Sequence, residues 1–366
     1  MTWELRIGDL QDLARGAALL GSGGGGDPYI GRLMAEQAMR SAGPLVVWDL
    51  DEVPGDALVI CTAMMGAPTV MVEKIPAGFE GAAALRAVER HLGRRAAATM
   101  PMECGGINSM MPLVAAARAG VPVVDADGMG RAFPELQMET FHVFGVPGTP
   151  MAIAGEHGDV ALLQTPDNYR MEWLARGITV RMGGASLIAE YPMDGQTARR
   201  VSIPGTLSLG ARLGGAIRRA RQRHADPLAE LAAVLRPTVY GEPRLIFEGK
   251  VEDVLRRTTG GFARGTAQVR AFSGSGLLTL QFQNEHLIAR CDVEVLAVVP
   301  DLICVLDLET AEPITTEGLR YGQRVRVITI RAPEIMRSPE ALEVFGPPAF
   351  GLDVSYPPVP AAGPAR

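Results

Sequence analysis

"PLVVWDLDEVPGDALVICTAM", residues 44 to 64, holds two short apolar runs parted by a Pro-Gly turn. Runs 44–50 and 57–64 have the length and continuous apolar character of buried strands. Helical patterns alternate with them. The spacing predicts a helix over 78–92, with Leu85, Val88 and Leu92 inward, a weaker strand over 96–103, and a helix over 108–119 capped by Asn108. "VPVVDAD", 121 to 127, is a strand ending in two carboxylates. This β/α alternation predicts an α/β N-terminal domain over 1–165, with a largely parallel open sheet covered by helices.

Upstream, residues 7–20 read as a helix with Asp9 as N-cap and a stripe of Leu10, Leu13, Ala17 and Leu20. Asp27 caps a second helix with Pro28 at its first position, and Ile30, Leu33 and Met34 on its buried face. Downstream, 167–176 and 208–224 look helical, and another helix starts at Asp226-Pro227. From Pro243 the pattern is β, with runs such as "LLTLQFQ" (277–283) and "RVRVITI" (324–330) separated by Gly- and Pro-rich turns. The expected division is therefore a β-rich C-terminal domain over 166–345, a sandwich or barrel, with a helical insertion at about 208–235 and a Pro-rich tail over 346–366.

The bulk numbers restrict the partners. The chain has 366 residues, enough for two cores, and a net charge of −6, which argues against nucleic acid. No apolar run reaches the length of a spanning helix, and the first residues lack a signal pattern, so no membrane association is expected and a cytoplasmic location is. Four cysteines, with no CxxC pair, make a disulfide framework or thiolate zinc site improbable. Exposed β-edges and the Pro-rich tail favour a homo-oligomer.

The loop "GSGGGGDP" (21–28) separates two helices. It has no lysine for a Walker loop, and it does not follow a strand as a dinucleotide fingerprint must. Its glycines permit positive φ and close backbone approach, and it leads into a helix N-terminus. It is therefore read as facing a small anionic or carbonyl-bearing ligand through Gly23, Gly24, Gly25, Gly26 and Asp27.

Ligands of open α/β sheets bind beyond the strand carboxyl ends. Three segments bring polar groups there: Glu73 and Lys74; Glu103, Cys104, Gly105, Gly106 and Asn108; and Asp125, Asp127, Arg131 and Glu135. Paired carboxylates hold a hard cation or supply a general base. Cys104, before two glycines at a helix start, is a nucleophile candidate, with His142 and His157 as possible partners after folding. In the β-rich half, Asn284-Glu285-His286 interrupts the strand alternation and is placed to close over a ligand.

"LGSGGGGDPYIG" (20–31), "MMGAPTVMVEKIP" (64–76), "ECGGINSMMP" (103–112), "DADGMGRAFPELQM" (125–138), "FQNEHLIA" (282–289), "VPDLICVLD" (299–307) and "GPPAFGLDVSYPP" (346–358) together resemble the S-methyl thiohydantoin desulfurase family, which is associated with hydantoin utilisation. The resemblance runs from about residue 8 to 357 in family order. It implies hydrolysis of an S-methylated thiohydantoin to a hydantoin and methanethiol. For that chemistry Glu103 or Asp127 would activate water, with Glu73 nearby. Backbone N–H groups of Gly23 to Gly26 and of Gly105-Gly106 would bind ring oxygens. Lys74 or Arg131 would offset negative charge, and Asn108, Asp125, Asn284 and Glu285 would contact the ring. In a variant, Cys104 attacks first. No cofactor is expected. A metal-dependent cyclic-amide hydrolase with Asp125, Asp127 and Glu135 as ligands, and a non-catalytic ring-binding subunit, stand as alternatives.

Overall fold

A computed structural model describes residues 1–67, 70, 73–259 and 262–356. The two apolar runs of 44–64 become β2 (Leu45–Asp49) and β3 (Leu58–Gly66). With β4 (Ala98–Pro101) and β5 (Val123–Asp127) they form a parallel core in the order β2-β5-β4-β3. Antiparallel strands extend it. β1 (Trp3–Leu5) pairs with β2; β8 (Ala185–Asp194), β6 (Met151–Ala154) and β7 (Val160–Leu163) follow β3; and β9 (Ile203–Pro204) pairs with β5.

The second sheet has eight antiparallel strands: β10 (Arg244–Thr259), β11 (Phe262–Ala271), β12 (Leu277–Gln283), β13 (Glu285–Cys291), β14 (Glu294–Val298), β15 (Leu302–Asp307), β16 (Pro313–Ile314) and β17 (Arg324–Ile330). Their order is β14-β13-β12-β11-β10-β17-β15-β16, and the sheet curls so that β13 and β14 return against β15. One hydrophobic cluster joins Val47, Met100 and Val123 of the first sheet to Leu287, Leu302 and Ile330 of the second. The two halves are thus welded by a shared core rather than hung on a linker.

Residues 185–194 belong to the first sheet, and the Thr206–Arg223 helix packs on the Leu10–Leu20 helix, so the antiparallel sheet begins only at Arg244. That helix contact is very close. A Cβ on Gly16 would lie 1.7 Å from the Gly210 carbonyl oxygen, and one on Gly214 1.8 Å from that of Asp12.

Three sequence-based details change. The Pro28–Ala42 helix buries Gly31, Ala35, Ala38 and Met39, while Leu33 is exposed. Its small face is what fits, since a Cβ on Gly31 would already crowd Ile107 and Met110. Leu92, at the end of the Glu80–Leu92 helix, is exposed rather than inward. Asn108 sits inside a 3-10 turn, Gly106–Ser109, and its side chain bonds elsewhere instead of capping a helix. Of the Pro-rich tail, Tyr356 docks on Asp301 (Oη to Oδ1, 2.8 Å). Residues 357–366, and Pro68, Thr69, Met71 and Val72 of the 64–76 motif, lie outside the described residues. Among the described residues no helix is long and apolar enough to cross a membrane.

Candidate functional site

β3 and β4 end beside one another, and the chain leaving them meets the 133–136 loop around a small cavity. The β-rich half closes that cavity with Asn284 and Glu285. It holds about 50 Å³, room for one or two waters of about 30 Å³ each. Met64, Met65, Met102, Ile107, Phe133, Pro134 and Leu136 supply its apolar wall. Three of these seven are methionines, which repack more easily than the rest.

Three carboxyl side chains line this cavity; of these Glu135 is half-buried, while Glu103 and Glu285 are buried and come from opposite halves of the molecule. Glu103 follows β4 and is 3% exposed. Its Oε1 accepts from Asn108 Nδ2 at 2.9 Å and its Oε2 from the Phe133 N–H at 3.3 Å. Asn108 is itself fixed by Met64, accepting from its N–H (2.7 Å) and donating to its carbonyl (3.1 Å). Glu285 opens β13 and is 2% exposed. Its Oε1 accepts from the Gly25 N–H at 3.2 Å, and its Oε2 has no partner among the described residues.

Burial, and then the field of Glu285, holds the Glu103 proton well above the ordinary carboxylate range. Burial raises Glu285 to about 8, with the Arg131 charge pulling the other way. Arg131 is fully buried and spends its guanidinium on carbonyls, those of Ala132 (3.1 Å), Asp301 (2.9 Å) and His286 (3.0 Å). It therefore ties the two halves together and tunes Glu285 from a distance, with all three of its nitrogens bonded to backbone carbonyls. Burial thus pushes both carboxyls up: Glu285 is poised to lose its proton near neutrality, and Glu103 is held protonated well above the ordinary carboxylate range.

The glycine loop answers to packing. A Cβ on Gly24 would fall 2.2 Å from Glu285 Oε1, and one on Gly23 2.4 Å from His286 Nδ1. Gly106 has φ +64°, and a Cβ there would meet the Gly25 carbonyl oxygen at 2.2 Å. Backbone bonds knit the seam: the His286 N–H to the Ser22 carbonyl (2.9 Å), Thr316 N–H to Gly23 (2.7 Å) and Ile107 N–H to Gly25 (2.9 Å). Glycines 23, 24, 25, 105 and 106 thus let three backbones touch where the halves meet, and the Gly24 and Gly25 N–H groups go to the Gly21 carbonyl and to Glu285 rather than to an open ligand space; Gly26 turns the loop at φ +76°.

Other expected site residues lie away from the cavity. Asp27 is exposed and caps its helix through the Tyr29 N–H at 2.9 Å. Asp125 accepts from the Ser208 N–H (2.9 Å), and Asp127 from those of Cys104 (2.7 Å) and Gly130 (3.1 Å). Burial lifts Asp127 to about 7, but it serves the backbone and does not line the cavity. Glu135 does line it. Among the described residues no group of three His, Cys, Asp or Glu is placed to hold a metal, so Asp125, Asp127 and Glu135 do not form the expected ligand set. Asn284, with φ +59°, lines the cavity while its side-chain oxygen accepts from the Ala263 N–H (2.8 Å).

Three expectations are corrected outright. Lys74 pairs with Glu156 (2.7 Å) and donates to the Met182 carbonyl, and Glu73 is exposed, so neither faces the carboxyl pair. Cys104 is fully buried and accepts from Thr206 Oγ1 at 3.2 Å, and burial followed by Asp127 pushes its thiol well up, the opposite of a thiolate. His142 bonds Asn168 (3.2 Å) and His157 pairs with Glu156 (3.3 Å), so neither can activate it. The sequence reading missed Arg176, which lines the cavity from the Asn168–Arg181 helix. The one local signal was its i,i+4 relation to Glu172, which reads equally well as a solvated pair.

Comparison with known proteins gives a concordant picture. Residues 8–165 match the family model described as "S-Me-THD-like, N-terminal domain", and residues 166–359 that described as "S-Me-THD-like, C-terminal domain". A crystal structure of a protein from Chromobacterium violaceum superposes with a TM-score of 0.82 at 27% identity, covering 98% of this chain and 100% of that one. No curated protein matches the chain.

Proposed function

This chain belongs to the S-Me-THD-like family, the S-methyl thiohydantoin desulfurase family, along nearly its whole length, and from that premise we propose that it hydrolyses an S-methyl thiohydantoin to a hydantoin and methanethiol. The observation that carries the reading is that two buried carboxyls with raised pKa values, Glu103 and Glu285, line one small cavity at the seam.

The reacting carbon, C2, is bonded to sulfur and doubly bonded to a ring nitrogen. Glu285, once ionised, takes a proton from water as the water oxygen bonds to C2. The C2–N π electrons move to the ring nitrogen, which takes the Glu103 proton. The tetrahedral centre then collapses: the C2–S bond breaks, the new hydroxyl returns its proton to Glu103 as the C2 carbonyl forms, and Glu285 protonates the departing methanethiolate. Both carboxyls end as they began, and ring plus water gives hydantoin plus methanethiol.

The dry wall strengthens these charge interactions. At about 50 Å³ the cavity must widen to admit the ring, and the flexible side chains of Met64, Met65 and Met102 are suited to repack as it does. The test is methanethiol and hydantoin formed one to one by purified protein, in the presence and absence of a chelator. Equal rates with and without chelator support two-carboxyl hydrolysis; loss of rate on chelation would replace it with a metal-dependent reaction.

A further inference from the structure

The cavity adjoins a second, much larger space. The Asn168–Arg181 helix and residues 155–157 bound an open groove of about 1510 Å³. Tyr169, Trp173, Ile178, Met182 and Phe262 give it apolar walls, and Tyr169 and Trp173 are 56% and 63% exposed. Glu135 and Arg176 line both the groove and the cavity, so the two spaces meet at these side chains. Arg176 is held at the junction: it pairs with Glu172, donates from Nη2 to the Pro134 carbonyl at 3.0 Å, and lies over the Phe262 ring at 4.6 Å.

Ring chemistry sets a direction. In a hydantoin, C2 and C5 flank N1 from opposite sides, and C5 alone is tetrahedral and carries the substituent. With C2 between Glu103 and Glu285, a C5 substituent points away from the carboxyl pair. The cavity, at about 50 Å³, has no room for it. The way out past Glu135 and Arg176 opens onto aromatic surface.

We propose that the groove receives the C5 substituent and that the chain selects rings bearing a large apolar or aromatic group there. This rests on the inner cavity being the ring site. Gly177 makes the groove testable. It lines the groove, is exposed, and has open space where a Cβ would stand. A glycine inside a helix is less favourable than a residue with a side chain, so a side chain at 177 fits the fold and fills only the groove.

The experiment titrates the full chain and its Gly177→Leu variant with 5-benzylhydantoin and 5-methylhydantoin, by calorimetry and by tryptophan emission. Of the three tryptophans, Trp173 alone is in the groove; Trp3 and Trp48 lie on β1 and β2. The wild-type chain should bind the benzyl compound about tenfold more tightly, with a change in emission. Gly177→Leu should erase that preference while leaving the methyl compound within about twofold. Equal affinities in the wild-type chain, an equal loss of both ligands in the variant, or no binding of either would overturn the proposal. Turnover of the matching S-methyl thiohydantoins is scored separately. Preference without turnover defeats the desulfurase reading and leaves the groove assignment standing; turnover without preference does the reverse.

Discussion

Glu285→Gln isolates the proton on which the mechanism depends. In the folded protein burial holds Glu285 to about 8, against 4.5 for an ordinary glutamate. Between those values the unfolded chain has released this proton and the folded chain has kept it, so stability falls as pH rises. The slope for one such group is about 1.4 kcal/mol per pH unit, and the whole interval amounts to ~5 kcal/mol. Glutamine keeps the shape and an acceptor for the Gly25 N–H but does not titrate. Glu139 and Glu190, also buried, are present in both proteins and cancel in the difference, while Glu103, which the Glu285 charge pushes up, stays raised by its own burial in both. Urea denaturation at pH 5.5, 6.5 and 7.5 should therefore show the wild-type chain losing ~3 kcal/mol relative to Glu285→Gln across the range. A difference that stays flat with pH would mean that Glu285 is already ionised in the fold, and its role as a base poised near neutrality would be refuted.

Three further outcomes follow from the same geometry. Because the base must be ionised, kcat/KM for an S-methyl thiohydantoin should climb with pH through the Glu285 value of about 8, which a pH–rate profile reads directly. Gly24→Ala would put a Cβ 2.2 Å from Glu285 Oε1, so turnover should drop roughly 100-fold while thermal melting shows a loss of only about 1–3 kcal/mol. Cys104→Ala should retain turnover within about threefold, since that thiol is buried, protonated and outside the cavity wall; abolished turnover in a folded variant would restore covalent catalysis.

Much of this was legible in the sequence because it is local. The 44–50 and 57–64 runs, the capped Asp27-Pro28 start and the Asp226-Pro227 start all depend on neighbours a few residues away, and each became the expected element. Of the sequence candidates, Gly25, Glu103, Asn108, Glu135, Asn284 and Glu285 line one cavity. What failed depended on distance. Whether Asp127 faces a ligand or a backbone N–H is decided by the turn at Cys104, 23 residues upstream. Lys74 was drawn to Glu156, and the Gly loop's carbonyls were taken by His286 and Thr316 of the other half. A glycine run advertises close approach, but the sequence does not say whether ligand or protein comes close. Arg176, on a different helix, carries no sign of belonging to the same cavity.

The central claim is that Glu103 and Glu285 share one acid–base task on one ring. Its most direct measurement is methanethiol release by wild-type, Glu103→Gln and Glu285→Gln proteins, alongside the affinity of each for the hydantoin product. The account requires each variant to lose at least about 100-fold in turnover while binding product within about tenfold of wild type. Either variant turning over at the wild-type rate would contradict it.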